Sequence, residues 1–103
     1  MHKIEVVVQH DRLSDVSEAL RRAKIGPFQA SEVRLFDPTE KPSGSCRGAS
    51  YTLGRERVKV ELVVAEHEVE TAVDAIHRGI GSTGEGDTRL IVLAVEGSLL
   101  GRL

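Results

Sequence analysis

A change of period that happens twice constrains this chain most. Residues 57–64 (RVKVELVV) alternate, with Val58, Val60, Leu62 and Val64 on one side and Lys59, Glu61 and Val63 on the other. Residues 3–9 (KIEVVVQ) do the same, Ile4, Val6 and Val8 against Glu5, Val7 and Gln9. Period two predicts strands. Each strand is followed by a helical period. In 12–24, Leu13, Val16, Leu20 and Ala23 share a face, away from Asp15, Glu18 and Arg22. Asp11 or Ser14 suits the cap of this helix, and Gly26-Pro27 marks its stop. In 66–79, Val69, Ala72, Val73 and Ile76 repeat the pattern. Residues 30–36 (ASEVRLF) and 89–95 (RLIVLAV) return to strand. The order predicts an α+β, ferredoxin-like βαββαβ fold with both helices on one face of the sheet. At 103 residues the chain is expected to be one domain, 1–103.

Two stretches stand outside the pattern. Residues 37–56 hold Pro38, Pro42, Gly44, Gly48 and Gly54 among polar residues and read as no regular element. A loop of about 20 residues in so small a domain is usually functional or disordered. Residues 80–88 (IGSTGEGDT) form a glycine-rich connection. The strands also carry apolar residues on both sides: Val7, Val63, and either Ile91 with Leu93 or Leu90 with Val92. The sheet face without helices would be a large apolar patch, expected to be buried against other copies of the chain.

Composition narrows the function by exclusion. The formal charge is −2, and the aromatics are Phe28, Phe36 and Tyr51. Neither a basic stripe nor stacking aromatics are present, which argues against nucleic acid. Cys46 is alone, so no internal disulfide forms, and a reducing cytoplasm fits. Met1-His2-Lys3-Ile4-Glu5 carries charge where a signal peptide is apolar, and no apolar run reaches the roughly 20 residues of a membrane span. The expectation is a soluble, cytoplasmic protein. His2, His10, His67 and His77 have no metal-ligand spacing and read as surface residues. No nucleophile with its base and no paired acids are visible, so the chain reads as a non-enzyme.

From the residues alone, 83–89 is either a glycine-containing turn or an anion grip in which backbone N–H groups converge on a phosphate and Arg89 adds a charge. Glu85 and Asp87 must turn away from any anion held there. Arg102 is a solvated tail residue or a phosphate contact.

The chain resembles the nitrogen-regulatory PII family. Cys46-Arg47-Gly48-Ala49-Ser50-Tyr51 is similar to a segment of that family's long loop, and Val58-Lys59-Val60-Glu61-Leu62-Val63-Val64 to its third strand. Thr83-Gly84-Glu85-Gly86-Asp87-Thr88-Arg89 resembles its glycine loop, one residue shorter and with Thr88 where glycine is usual. Leu13, Val16, Glu18, Ala19 and Leu20 resemble its first helix, and Ser31-Glu32-Val33 a triplet in its second strand. The resemblance implies a homotrimer that binds adenine nucleotide in clefts between subunits and signals to a target protein through the loop. It makes 37–56 the T-loop, 82–89 the phosphate-gripping B-loop and 96–103 the C-terminal loop.

The nucleotide-binding set so implied is Val7, Gln29, Leu35, Phe36, Asp37, Glu61, Val63, Thr83, Gly84, Glu85, Gly86, Asp87, Thr88, Arg89 and Arg102. Phe28 is a further neighbour of the adenine, and Arg47 and Arg57 are small-anion candidates. Tyr51 falls where some PII proteins are modified; a partner contact is the plainer reading of a loop tyrosine. Departures matter too. Phe36-Asp37-Pro38-Thr39 replaces a Phe-Gly-Arg-Gln run, Arg57 stands for a lysine, and Cys46 for a tyrosine. The missing glutamine argues against Mg-ATP and 2-oxoglutarate, leaving ADP or AMP favoured and ATP admitted. The altered loop and short tail suit the carboxysome-associated branch, for which bicarbonate is a further ligand. The competing readings are a ferredoxin-like small-metabolite module of the amino-acid-binding type and a metal-responsive trimer of related shape; the latter would want His or Cys clusters.

Overall fold

Six strands and two helices are seen in a computed structural model, which describes residues 1–39, 44–46, 49–51, 53–81 and 89–96. The order is β1 (His2–Val8), α1 (Leu13–Arg22), β2 (Gln29–Leu35), β3 (Gly44–Cys46), β4 (Ala49–Tyr51), β5 (Arg55–Val64), α2 (Val69–Ile80) and β6 (Leu90–Ala94). β2, β5, β1 and β6 lie in that order in one antiparallel sheet. This is the ferredoxin-like α+β arrangement.

The register explains the core. Ile4, Val6 and Val8 of β1 face Leu62, Val60 and Val58 of β5. Their side chains share one face and are buried with Val64, Val16, Leu20, Ala72, Ala75, Ile76 and Ile80. Each such Val, Leu or Ile contributes about 1.5–3 kcal/mol by leaving water. Leu13, Ala23, Phe28, Val69 and Val73 pack around this cluster.

The helix boundaries differ from expectation in three ways. Each helix is entered through a 3-10 turn, His10–Arg12 and Glu66–Glu68. Neither Asp11 nor Ser14 caps α1: Arg12 occupies the cap position and makes no side-chain cap bond. Gly26-Pro27 does not stop it either. The Ile25 N–H donates to the Leu20 carbonyl at 3.1 Å and the Lys24 N–H to the Arg21 carbonyl at 3.0 Å. With Lys24 at φ 59°, this is a Schellman closure two residues before the glycine.

The stretch expected to lack regular structure contains a short ribbon. β3 pairs antiparallel with β4, Gly44 opposite Tyr51 and Cys46 opposite Ala49. β5 also begins two residues early, at Arg55, because Leu35 of β2 pairs with it. Arg34 ties the loop stems together, its guanidinium donating to the Leu53 carbonyl at 3.0 Å and to Glu56 at 2.9 Å.

Candidate functional site

The face of the sheet away from the helices is built from the other half of each alternation. Glu5 lies opposite Glu61 and Ile91, and Lys3 opposite Val63 and Leu93. Lys59 lies opposite Val7 and Ser31, and Arg55 opposite Leu35. The choice left open for the last strand is thereby settled: Ile91 and Leu93 share the open face with Val7 and Val63.

At its centre two carboxylates meet across the strands, an arrangement that is destabilising when left alone. Two lysines resolve it. Lys3 Nζ stands 2.8 Å from Glu61 and 3.0 Å from Glu5. Lys59 Nζ stands 3.4 Å from Glu61 and 3.9 Å from Glu5. Hydrogen bonding to Lys3, then to Lys59, holds the Glu61 carboxyl below its ordinary range. Glu61, followed by Glu5, raises Lys3.

Two pockets open at the ends of this cluster. The first, about 480 Å³, is lined by Glu5, Val6, Val7, Leu35, Phe36, Asp37, Pro38, Arg55, Lys59, Arg89 and Ile91. It sits where the β2–β5 loop leaves the sheet. Val7, Leu35 and Ile91 make an apolar wall, and Arg55, Lys59 and Arg89 bring positive charge. Phe36 stands 60% exposed at its rim. The ring crosses Gly54, which has φ +75° and where an added Cβ would fall 2.8 Å from Phe36 Cε1. A side chain at position 54 would push the aromatic away.

The residue that follows is held firmly. Asp37 Oδ1 accepts from the Thr39 N–H at 2.9 Å and from Thr39 Oγ1 at 2.6 Å. Those hydrogen bonds, hydroxyl first, with the Arg55 charge behind them, hold the Asp37 carboxyl below its ordinary range.

The second pocket, about 630 Å³, is lined by Lys3, Pro27, Phe28, Gln29, Glu61, Leu62 and Val63. The charge cluster spans the two: Glu5 and Lys59 line the first pocket, Lys3 and Glu61 the second.

The site residues expected from the sequence thus fall into two groups. Val7, Leu35, Phe36, Asp37 and Arg89 meet in the first pocket. Gln29, Glu61 and Val63 meet, with Phe28, in the second. Arg57 lines neither; its Nη1 donates to the Glu56 carbonyl at 2.7 Å. Tyr51 closes β4 opposite Gly44. Arg47, Thr83, Gly84, Glu85, Gly86, Asp87, Thr88 and Arg102 lie outside the described residues. Sequence reasoning missed Arg55, Lys59 and Lys3 as lining residues. The signal was there: 55, 57, 59, 61 and 63 carry the same parity, and the open face is the odd one.

Among the described residues, no three His, Cys, Asp or Glu side chains could hold a metal ion together, and no helix is long and apolar enough to cross a membrane.

A ferredoxin-like sheet with a long excursion between edge strand β2 and inner strand β5, and a charged pocket at the root of that excursion, fits a small regulatory domain. The comparisons give the family. The profile of the family described as Nitrogen regulatory protein P-II matches residues 1–97. A protein of that description from Cereibacter sphaeroides is 33% identical over 97 residues, covering 93% of this chain and 87% of the relative. One from Microchaete diplosiphon is 35% identical over 98 residues, with the same coverage of 93% and 87%. One from Klebsiella oxytoca is 33% identical over 96 residues, covering 92% and 86%. The chain belongs to the PII family. Its members are regulatory signal transducers, not enzymes, and as a family they bind adenine nucleotides and interact with target proteins as trimers.

Proposed function

We propose that this protein is a cytoplasmic adenine-nucleotide sensor whose sites form between neighbouring copies of the chain. The observation that carries the proposal is the convergence of Val7, Leu35, Phe36, Asp37 and Arg89 in one pocket at the foot of the long loop. Its apolar wall suits a flat base, and its cations suit phosphate.

The pocket is open on one side, and the second pocket lies at the other end of the same sheet face. In a ring of three copies, one chain's first pocket is completed by the next chain's Phe28, Gln29, Glu61 and Val63. The single domain 1–103 then divides its labour. Residues 37–56 are the T-loop that meets the target, 82–89 grip phosphate, and 96–103, with Arg102, reach a neighbour's site. ADP or AMP is the favoured ligand and bicarbonate a candidate companion, with Arg47 and Arg57 as its nearest cationic candidates.

The loop root is part of the pocket wall, through Phe36, Asp37 and Pro38. A ligand that contacts this wall in one loop arrangement and not in another shifts the loop population by the difference. That is the signalling step.

Calorimetric titration with ADP, AMP and ATP, each with and without bicarbonate, tests the reading. Binding is expected near micromolar, about −8 kcal/mol. Arg89→Ala should weaken it by at least about tenfold, the scale of one charge-assisted hydrogen bond. A folded protein that binds none of the three nucleotides would overturn the proposal and leave the small-metabolite module as the better description.

A further inference from the structure

The geometry points to Lys3 and Lys59 as positioning residues that hold Glu61 as a hydrogen-bond acceptor at the edge of the second pocket, so that a ligand there must present an amine. This inference rests on the nucleotide reading and asks which feature of the base the site reads.

The four charges on the open face form a closed ring. Lys3 Nζ stands 2.8 Å from Glu61 Oε2 and 3.0 Å from Glu5 Oε1. Lys59 Nζ stands 3.4 Å from Glu61 Oε1 and 3.9 Å from Glu5 Oε2. Each lysine thus takes a different oxygen of Glu61. A carboxylate held at one oxygen still turns about the bond that carries it. Held at both, by lysines on two different strands, it cannot turn without losing a partner.

The lysines do not exhaust the group. An ionised carboxylate only accepts, with about four lone-pair directions, and two lysines fill about half of them. Glu61 keeps 21% of its side chain exposed and lines the second pocket. Hydrogen bonding to Lys3, then to Lys59, holds its carboxyl below the ordinary range, so it is ionised at neutral pH.

The surroundings choose the ligand group. Gln29 lies opposite Glu61 in the register, and the two line one pocket with Phe28 and Val63. Apolar walls with two polar groups at one edge suit a flat heterocycle read along its rim. A bare ring nitrogen placed against Glu61 sets an acceptor against an acceptor, whereas an exocyclic amine brings a donor. Adenine carries such an amine. Lys59 also lines the first pocket. Any phosphate contact it makes there is common to all nucleotides of equal length, so only its hold on Glu61 changes the choice of base.

The test compares ADP with purine riboside 5′-diphosphate, which is ADP without its amine. Both are titrated calorimetrically into wild-type protein, Lys3→Met, Lys59→Met and Lys59→Arg. Wild-type protein is expected to prefer ADP by at least about tenfold, the scale of one hydrogen bond to a charged group. Lys3→Met, which removes the shorter contact, should cut that preference to about threefold or less, and Lys59→Met should lower it by a smaller factor. Lys59→Arg keeps the cation and should retain most of it. The wild-type comparison decides without any variant: equal affinities within about twofold would overturn the inference while nucleotide binding stands. A preference of wild-type size in both methionine variants would show that Glu61 needs no positioning, and would overturn it too. Wild-type protein that binds neither compound would overturn the nucleotide reading and this inference with it.

Discussion

Lys24 is the one non-glycine residue with positive φ, 59°, among those described. A side chain with Cβ costs roughly 1–2 kcal/mol in the left-handed region. The position is nevertheless useful, because it lets Ile25 turn back and pack on the core beside Leu20. Lys24→Gly should remove the strain, offset in part by the greater freedom of glycine in the unfolded chain. The expected net gain is about 0.5–1 kcal/mol, read as a higher urea midpoint with unchanged slope. An equal or lower midpoint would show that the lysine side chain contributes more than the strain costs. The same residue explains a misplaced boundary. Glycine is the usual signal for this closure, so a lysine there conceals it, and Gly26-Pro27 draws the eye past the true end of α1. Parity, by contrast, was fully legible: every buried residue of β1 and β5 is even-numbered, as the alternation required. What parity could not supply was register. Only the pairing of Glu5 with Glu61 shows why Lys3 and Lys59 are needed beside them, and why Lys59 belongs to the first pocket.

At the scale of elements, the decisive contact is the crossing of α1 over α2. Gly79 lies there, and an added Cβ would fall 2.6 Å from Val16 Cα and 2.8 Å from Val16 N. Both atoms are backbone, so no rotamer change relieves the clash, and the helices must move apart. On an exposed helix, Gly→Ala would stabilise by about 1 kcal/mol through propensity. Here overpacking of about 1–3 kcal/mol opposes it. Gly79→Ala is therefore expected to lower stability, with Tm falling by several degrees, since about 1 kcal/mol corresponds to roughly 4–8 °C in a domain of this size. A raised Tm would mean that the crossing is looser than the contact distances show. The two helices and four sheet strands were readable because long apolar periods report burial directly. The β3–β4 ribbon was not readable. Its strands are three residues each, too short to show a period. The intervening Arg47-Gly48 also lacks the Asn-Gly or Asp-Gly that announces a hairpin. Nor is the tie at the foot of the loop readable, where Arg34 bonds Leu53 and Glu56 about twenty residues away, beyond any local window.

For the whole molecule, the open sheet face poses the question that a single chain does not answer. Val63, Ile91 and Leu93 remain 54%, 40% and 46% exposed on it. They flank four charges that pair with one another, each lysine standing near both carboxylates. This combination fits burial: apolar side chains gain by leaving water, and paired charges lose less on desolvation than lone ones. Under the proposed function it also connects stability to function, because the same face carries both pockets. Leu93 separates the two, since it lies on the open face opposite Lys3 but lines neither pocket. Leu93→Glu would place in the proposed interface a third carboxylate beside Lys3, which Glu5 and Glu61 already share, without touching the ligand wall. The expected outcome is a trimer for the wild-type protein and a monomer for the variant in sedimentation velocity at micromolar concentration, with the far-ultraviolet circular dichroism of the fold retained. Nucleotide affinity should fall along with assembly, because the proposed site is shared by two chains. A trimer that survives the substitution would place the contact elsewhere. A folded monomer that still binds nucleotide at wild-type affinity would make the first pocket sufficient by itself and remove the neighbour's Gln29, Glu61 and Val63 from the site.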